Sequence, residues 1–468
     1  MTMGVDVVII GAGPAGMSAA NTINKFGGNV VVLDEQAAPG GQIYKAIDHV
    51  RHDRPNELMW LGPTYSEGAR LTEKFGSQEI DYRPGSMVWN IEGPTPDGFY
   101  TVYYSRSGKS GKLVTGYIIA ATGAMERPVP IPGWTLPGVM TVGAIQSVMK
   151  NSGIYPSGKL ILAGSGPLVL QLANQLIAAN VDIAAILDTS PKGSFVRALR
   201  YFPRAAIAGD YLFKGWKLAR EVQRSGVKIY RNVTDLAALG ENSVQNVSFK
   251  ENGEEHCLEV DTLALHEGIL PNTQLTRLLD LEHVWSERQR SFYPVVDSAG
   301  ETSRSGVFVV GDGAGISGSK TAEYSGVIAG MTILEKLDYI KKSQRDIIVE
   351  EKKFRRFLDE GIRPFLDTLF PAPTNIEAIS NKTIICRCEE ITAGEIRDVV
   401  KKGCSGPNQA KAFLRCGMGV CQGRMCGASV TEVMSQAMGK TPSDVGTYRI
   451  RPPLKPLSLD EIATLNES

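Results

Sequence analysis

Val5-Asp6-Val7-Val8-Ile9-Ile10-Gly11-Ala12-Gly13-Pro14-Ala15-Gly16 decides the fold. The apolar run Val5–Ile10 reads as a buried strand, and the glycine-rich turn after it opens a helical pattern from Met17 to Lys25. A second apolar run, Val30–Leu33, ends at Asp34-Glu35. Strand, glycine turn, helix, strand and acid in this order form a dinucleotide-binding βαβ unit. Gly11 permits the tight turn, Gly13 lets a pyrophosphate approach the backbone, and Gly16 lets helix and strand pack closely. Pro14 and Ala15 begin the helix, whose free N–H groups and positive dipole end face the phosphates. Glu35, 24 residues after Gly11, is placed to bind ribose hydroxyls, with Asp34 its immediate rival. Gly40-Gly41-Gln42 reads as a loop close to the ligand, contributing Gly41 and Gln42.

The pattern recurs at an offset of 153 residues. Lys159–Ala163 reads as a strand, Gly164-Ser165-Gly166-Pro167-Leu168-Val169 as the turn, and Val181–Leu187 as the next strand, ending at Asp188. Such self-similarity argues for two nucleotide-type domains. Val169 replaces the third glycine, and its β-branched side chain is expected to push the helix from the strand. Gly164, Gly166 and Asp188 are therefore expected to hold NAD or another adenine nucleotide, or to be the relic of such a site.

Two more strands end in ligand-facing turns: Tyr117–Ala121 runs into Thr122-Gly123, and Val307–Val310 into Gly311-Asp312. A helical run, Ala322–Leu337, follows. Together with the glycine loops these segments resemble the flavoproteins of the thioredoxin and glutathione reductase type. The resemblance implies FAD, held by Ala121, Thr122, Gly123, Gly311 and Asp312, with the helix start near Thr321 and Ala322 facing the isoalloxazine. The redox CxxC of those reductases is missing from both nucleotide domains, which excludes their dithiol chemistry.

The chain has 468 residues, 43% hydrophobic and 21% charged, enough for about three soluble domains. Fifty basic residues balance fifty acidic ones. A zero net charge leaves no electrostatic footprint for nucleic acid and does little to oppose association with a partner. No stretch approaches the roughly 18 apolar residues of a membrane span. Six of the seven cysteines cluster between Cys386 and Cys426. An odd, clustered set reads as metal ligation in a reducing compartment, here the cytoplasm.

Cys386-x-Cys388, 32 further residues, and Cys421-x4-Cys426 give four thiolates, which suit zinc or an iron–sulfur cluster. The opening pair is tighter than a usual zinc knuckle. The segments Cys386–Glu390, Gly403–Asn408 and Arg415–Arg424 resemble the [2Fe–2S] module related to bacterioferritin-associated ferredoxin, with ligands on loops between short helices. The resemblance makes Cys386, Cys388, Cys421 and Cys426 the ligands, with Cys416 competing for the place of Cys421 and Cys404 a small buried residue.

Over nearly its whole length the chain resembles the α subunits of heteromeric amine and imino acid dehydrogenases. That family includes the opine oxidase A subunit, D-hydroxyproline dehydrogenase, the hydrogen cyanide synthase B subunit and sarcosine oxidase α. Val420 stands where these relatives often have Pro. The resemblance implies an α/β fold with two Rossmann-like domains and a small helical [2Fe–2S] module. It also implies a hetero-oligomer in which a β subunit resembling D-amino-acid oxidase removes hydride from a secondary amine, opine, imino acid or amino acid, so no catalytic residue is assigned here. FMN between the subunits and a small ferredoxin-like γ subunit belong to the same expectation. The alternative is a free-standing NADH-dependent reductase, motivated by the second βαβ copy. The FAD domain is placed at 1–135 and 262–340, the second nucleotide domain at 136–261, helical linkers at 341–376, and the cluster module with its tail at 377–468.

Overall fold

The computed structural model describes residues 5–373 and 379–467. Strand β1 (Val5–Ile10) is followed by helix α1 (Pro14–Lys25) and β2 (Val30–Asp34). Val7, Val8 and Ile9 are fully buried, which is why a continuous apolar run, and not an alternating one, forms this central parallel strand. With β3 (Asp81–Pro84), β4 (Ser86–Glu92), β5 (Tyr100–Arg106) and β6 (Lys109–Ala120), the sheet order is β3-β2-β1-β6-β5-β4. The strand Val307–Val309 joins in parallel on Ile118–Ala120 of β6.

One face of this sheet is covered by α1 and by helix Ser319–Lys336, which begins three residues before the expected Ala322. The two helices touch through small residues: a Cβ on Gly326 would lie 2.1 Å from the Ala15 carbonyl oxygen. Both N-termini are thereby brought to the same end of the sheet.

The second sheet is wholly parallel, in the order Ile229–Arg231, Ile183–Asp188, Leu160–Gly164, Thr262–His266, Val139–Thr141. Thr262–His266, which the sequence reading gives to the first domain, hydrogen-bonds inside this sheet instead. Its Leu263 and Leu265 share a core with Ile161, Ala163 and Val247, so the apolar run is satisfied there. Helix Pro167–Ala178 repeats α1 in length and at the same offset of 153 residues from Pro14.

Helices Lys342–Glu360 and Arg363–Leu369 lead toward the cysteine-bearing segment. The expected boundary at 376/377 lies outside the described residues. Helix Ala393–Lys401 starts with a capping box between Thr392 and Glu395, and Pro407–Leu414 and Gly427–Met438 complete a small helical unit. Among the described residues no helix is long and apolar enough to cross a membrane.

Candidate functional site

One cavity of about 1190 Å³ opens at the carboxyl ends of the parallel strands of the two sheets. Gly11, Gly13, Pro14, Ala15, Asp34, Glu35, Gly41, Gln42, Ala121, Thr122, Gly123, Gly311, Asp312 and Ala322 line it. Gly16 and Thr321 do not. A Cβ on Gly16 would meet the Gly11 carbonyl oxygen at 1.9 Å, so Gly16 serves the close return of α1 behind the loop. Thr321 is buried in its helix.

The geometry suits an elongated diphosphate-bearing ligand. A Cβ on Gly13 would meet nothing nearer than the Gly41 Cα at 3.8 Å, leaving the backbone open on the cavity side. Gly13 and Gly318 start their helices with no side-chain cap, so two sets of first-turn N–H groups remain for an anion. Asp312 Oδ1 accepts from Ser317 N (2.9 Å) and Gly318 N (3.0 Å), which fixes the entry to the second of these helices.

The two rival acids are separated by burial. Asp34 is buried and its Oδ1 accepts from Gln36 N at 3.2 Å, so it braces the turn. Burial pushes its carboxyl up to about 6, against backbone hydrogen bonds that pull it down. Glu35 stands at the rim, paired with Lys455 of the C-terminal tail. Behind Gln42, the buried Lys150 donates to the carbonyls of Gln42 and Ile43 and to Gln146 Oε1, each at 3.0 Å. Desolvation lowers its pKa to about 7. Nothing local in the sequence marks Lys150, because its loop partners are more than a hundred residues away.

The second glycine loop faces the same cavity through Gly166, whereas Gly164 and Asp188 lie outside the lining. A Cβ on Gly164 would collide with the His266 carbonyl oxygen at 1.8 Å, and Asp188 Oδ1 accepts from Ser190 N at 2.9 Å. Val169 is buried in the core beside Leu160 and Leu162. Between the two loops sit residues that the sequence reading missed. His266 Nδ1 lies 2.5 Å from Glu126 Oε1, and Glu126 Oε2 accepts from Gly143 N at 2.8 Å. Glu267 Oε1 accepts from Thr189 Oγ1 at 2.6 Å, and burial raises its carboxyl to about 6.

In the helical unit Cys386 faces Cys426, and Cys388 faces Cys421. The Cys426 thiol, together with backbone N–H groups of Gly417, Glu389 and Cys388, holds the Cys386 thiol down to about 6 against the opposing effect of burial. Backbone donors aimed at a sulfur favour its thiolate form, the form that ligates metal. Cys416 is fully buried with its Sγ 2.8 Å from the Tyr448 hydroxyl, and Cys404 is buried against the Gly406 carbonyl. Among the described residues no three Cys, His, Asp or Glu side chains converge closely enough to hold a metal ion. Two facing pairs supply four thiols, the donor count of a two-iron cluster and of tetrahedral zinc alike. His49 and His52 lie exposed on the short helix Ile47–Asp53, away from the cavity.

Two Rossmann-like sheets with glycine loops turned to one cleft define an FAD-binding flavoprotein oxidoreductase. Residues 5–328 match the pyridine nucleotide-disulphide oxidoreductase family, and residues 380–465 match the sarcosine oxidase A3 domain. The chain belongs to the pyridine nucleotide-disulphide oxidoreductase family and, within it, to the group formed by the opine oxidase A subunit and its homologues. It is 42% identical to the opine oxidase A subunit of Rhizobium meliloti, over 98% of this chain and 87% of that one. It is 30% identical to hydrogen cyanide synthase subunit HcnB of Pseudomonas aeruginosa, over 99% of each. L-proline dehydrogenase from P. horikoshii shares the fold, with a TM-score of 0.71 at 19% identity, covering 98% of this chain and 79% of that one. The protein is thus an FAD-binding oxidoreductase subunit of a multi-subunit enzyme.

Proposed function

We propose that this chain is the electron-relaying subunit of a heteromeric dehydrogenase for opines or other secondary amines and imino acids, whose C–N bond is oxidised on a partner resembling D-amino-acid oxidase. One observation carries the reading: Arg424, between Cys421 and Cys426, lines the FAD cleft, so the cysteine loop borders the flavin site. Bound FAD accepts an electron pair and releases it singly, and a [2Fe–2S] centre carries one electron at a time. The N–H groups of α1 take the diphosphate, Glu35 the ribose hydroxyls, and Asp312 orders the second helix start. Lys150 pins the Gln42 loop. Cys386, Cys388, Cys421 and Cys426 ligate the cluster, while Cys416 is engaged with Tyr448.

A face suited to the partner adjoins the cleft mouth. Tyr211 and Lys214 of helix Gly209–Arg224 line the cavity, only Val222 of its sixteen residues is buried, and Phe213 and Trp216 point outward. Exposed aromatics with neighbouring arginines are the composition of interface cores.

The test is anaerobic mixing with an opine. The chain co-purified with its partner should bleach its flavin, and the isolated chain should not; equal rates overturn the proposal. Iron analysis and electron paramagnetic resonance of the dithionite-reduced protein should show two irons and a rhombic signal. A second reading, NADH-dependent reductase, is favoured by Gly166 lining the same cleft, and rapid bleaching of the isolated chain by NADH would establish it.

A further inference from the structure

The segment that follows the cysteine helices does not hang free. At its start the Tyr448 hydroxyl meets Cys416, and Arg449 N donates to Asn408 Oδ1 at 2.8 Å. At its far end, Ser458 and Glu461 box a short helix, Leu459–Ala463, onto the first sheet. There Glu461 bonds Ser105, and Thr464 Oγ1 accepts from Ser110 N at 2.9 Å. Between these anchors the chain crosses the FAD cleft. Leu454 is buried, its N–H donating to the Trp89 carbonyl on β4 (2.9 Å) and its carbonyl accepting from Arg424 Nη1 (3.0 Å). Lys455 Nζ pairs with Glu35 Oε2. Arg424, Leu454 and Lys455 all line the cavity, which keeps its volume of about 1190 Å³ with the segment in place. The crossing therefore roofs the cleft and does not fill it.

We propose that this C-terminal strap is part of the FAD site and that Lys455 is a positioning residue acting through Glu35. The inference rests on the FAD reading of the cleft. Glu35 brings a negative charge toward a ligand that carries a diphosphate. An ammonium on Oε2 offsets that repulsion, holds the carboxylate in one orientation, and leaves Oε1 for the ribose hydroxyls. Because Arg424 sits in the loop of Cys421 and Cys426, the same strap ties the cysteine module to the retention of flavin.

FAD release from the holoprotein after dilution, followed as recovery of free-flavin fluorescence, tests this. Lys455→Met should release FAD about fivefold faster, the scale of one partly exposed ion pair. Lys455→Arg should restore the wild-type rate. Raising the salt concentration should speed release from the wild type and leave Lys455→Met nearly unchanged. A chain ending at Pro453 should release FAD at least as fast as Lys455→Met. The point variant alters no backbone hydrogen bond, so it decides the matter even if the shortened chain fails to fold. Equal release rates, or slower release from Lys455→Met, would overturn the proposal. Wild-type protein that binds no FAD at all would overturn the flavoprotein reading instead.

Discussion

At Gly13 and Gly16, three residues apart, one added carbon has opposite consequences. A Cβ on Gly13 enters the open cleft, whereas on Gly16 it strikes the Gly11 carbonyl oxygen at 1.9 Å. Gly13→Val should therefore fold with a normal circular dichroism spectrum and purify colourless, because its side chain occupies the diphosphate's place. Gly16→Val should lose soluble protein, since backbone must move to admit it. A yellow Gly13→Val protein at full occupancy would contradict the assignment. Both glycines are legible in the sequence, but their separate duties are not. Asp34 and Glu35 pose the same problem: adjacent acids at a strand end look equivalent until burial of one and exposure of the other distinguish them.

Between elements, the cysteine-bearing unit shares an apolar core with the flavin sheet, Val8, Ile118 and Val307 lying in one cluster with Ile385, Ile396 and Val433, and a buried ion-pair network adds to that contact. Glu432 on helix Gly427–Met438 is buried, with its Oε1 3.2 Å from Arg290 Nε. Arg127, buried just after the strand Ala124–Glu126, adds a second positive charge and donates through Nη2 to the carbonyls of Gln289 and Arg290. Burial holds Glu432 above the usual carboxylate range although both arginines oppose it, and burial likewise lowers Arg127. Removing Glu432 leaves the buried Arg127 beside the part-buried Arg290, with Glu267 the acid still acting on Arg127. Glu432→Ala should cost about 3–5 kcal/mol by denaturant titration, with limited proteolysis cutting first near the junction of the two units. A loss below about 1 kcal/mol would show that this network does not join them. None of the three residues belongs to a motif, and their numbers span more than three hundred positions.

Across the whole molecule, the outward face of helix Gly209–Arg224, which packs through Val222 against helix Pro167–Ala178, is the feature a lone chain leaves unexplained. Phe213 is 66% exposed and Trp216 54%, on a helix that lines the cleft with Tyr211 and Lys214. Replacing both by serine should abolish co-purification of the partner while FAD content and melting temperature stay unchanged, since neither side chain is buried in this chain. Retained partner at wild-type yield would place the interface elsewhere.

The βαβ units and the flavin motifs are local: each is a short run in which residue order alone sets backbone geometry, so they could be read without coordinates. The membership of Thr262–His266 in the second sheet, the pinning of the Gln42 loop by Lys150, the pairing of Cys386 with Cys426, and the crossing of Lys455 to Glu35 could not. Each depends on which distant surfaces come together when the cores are buried, and sequence spacing carries no record of that choice.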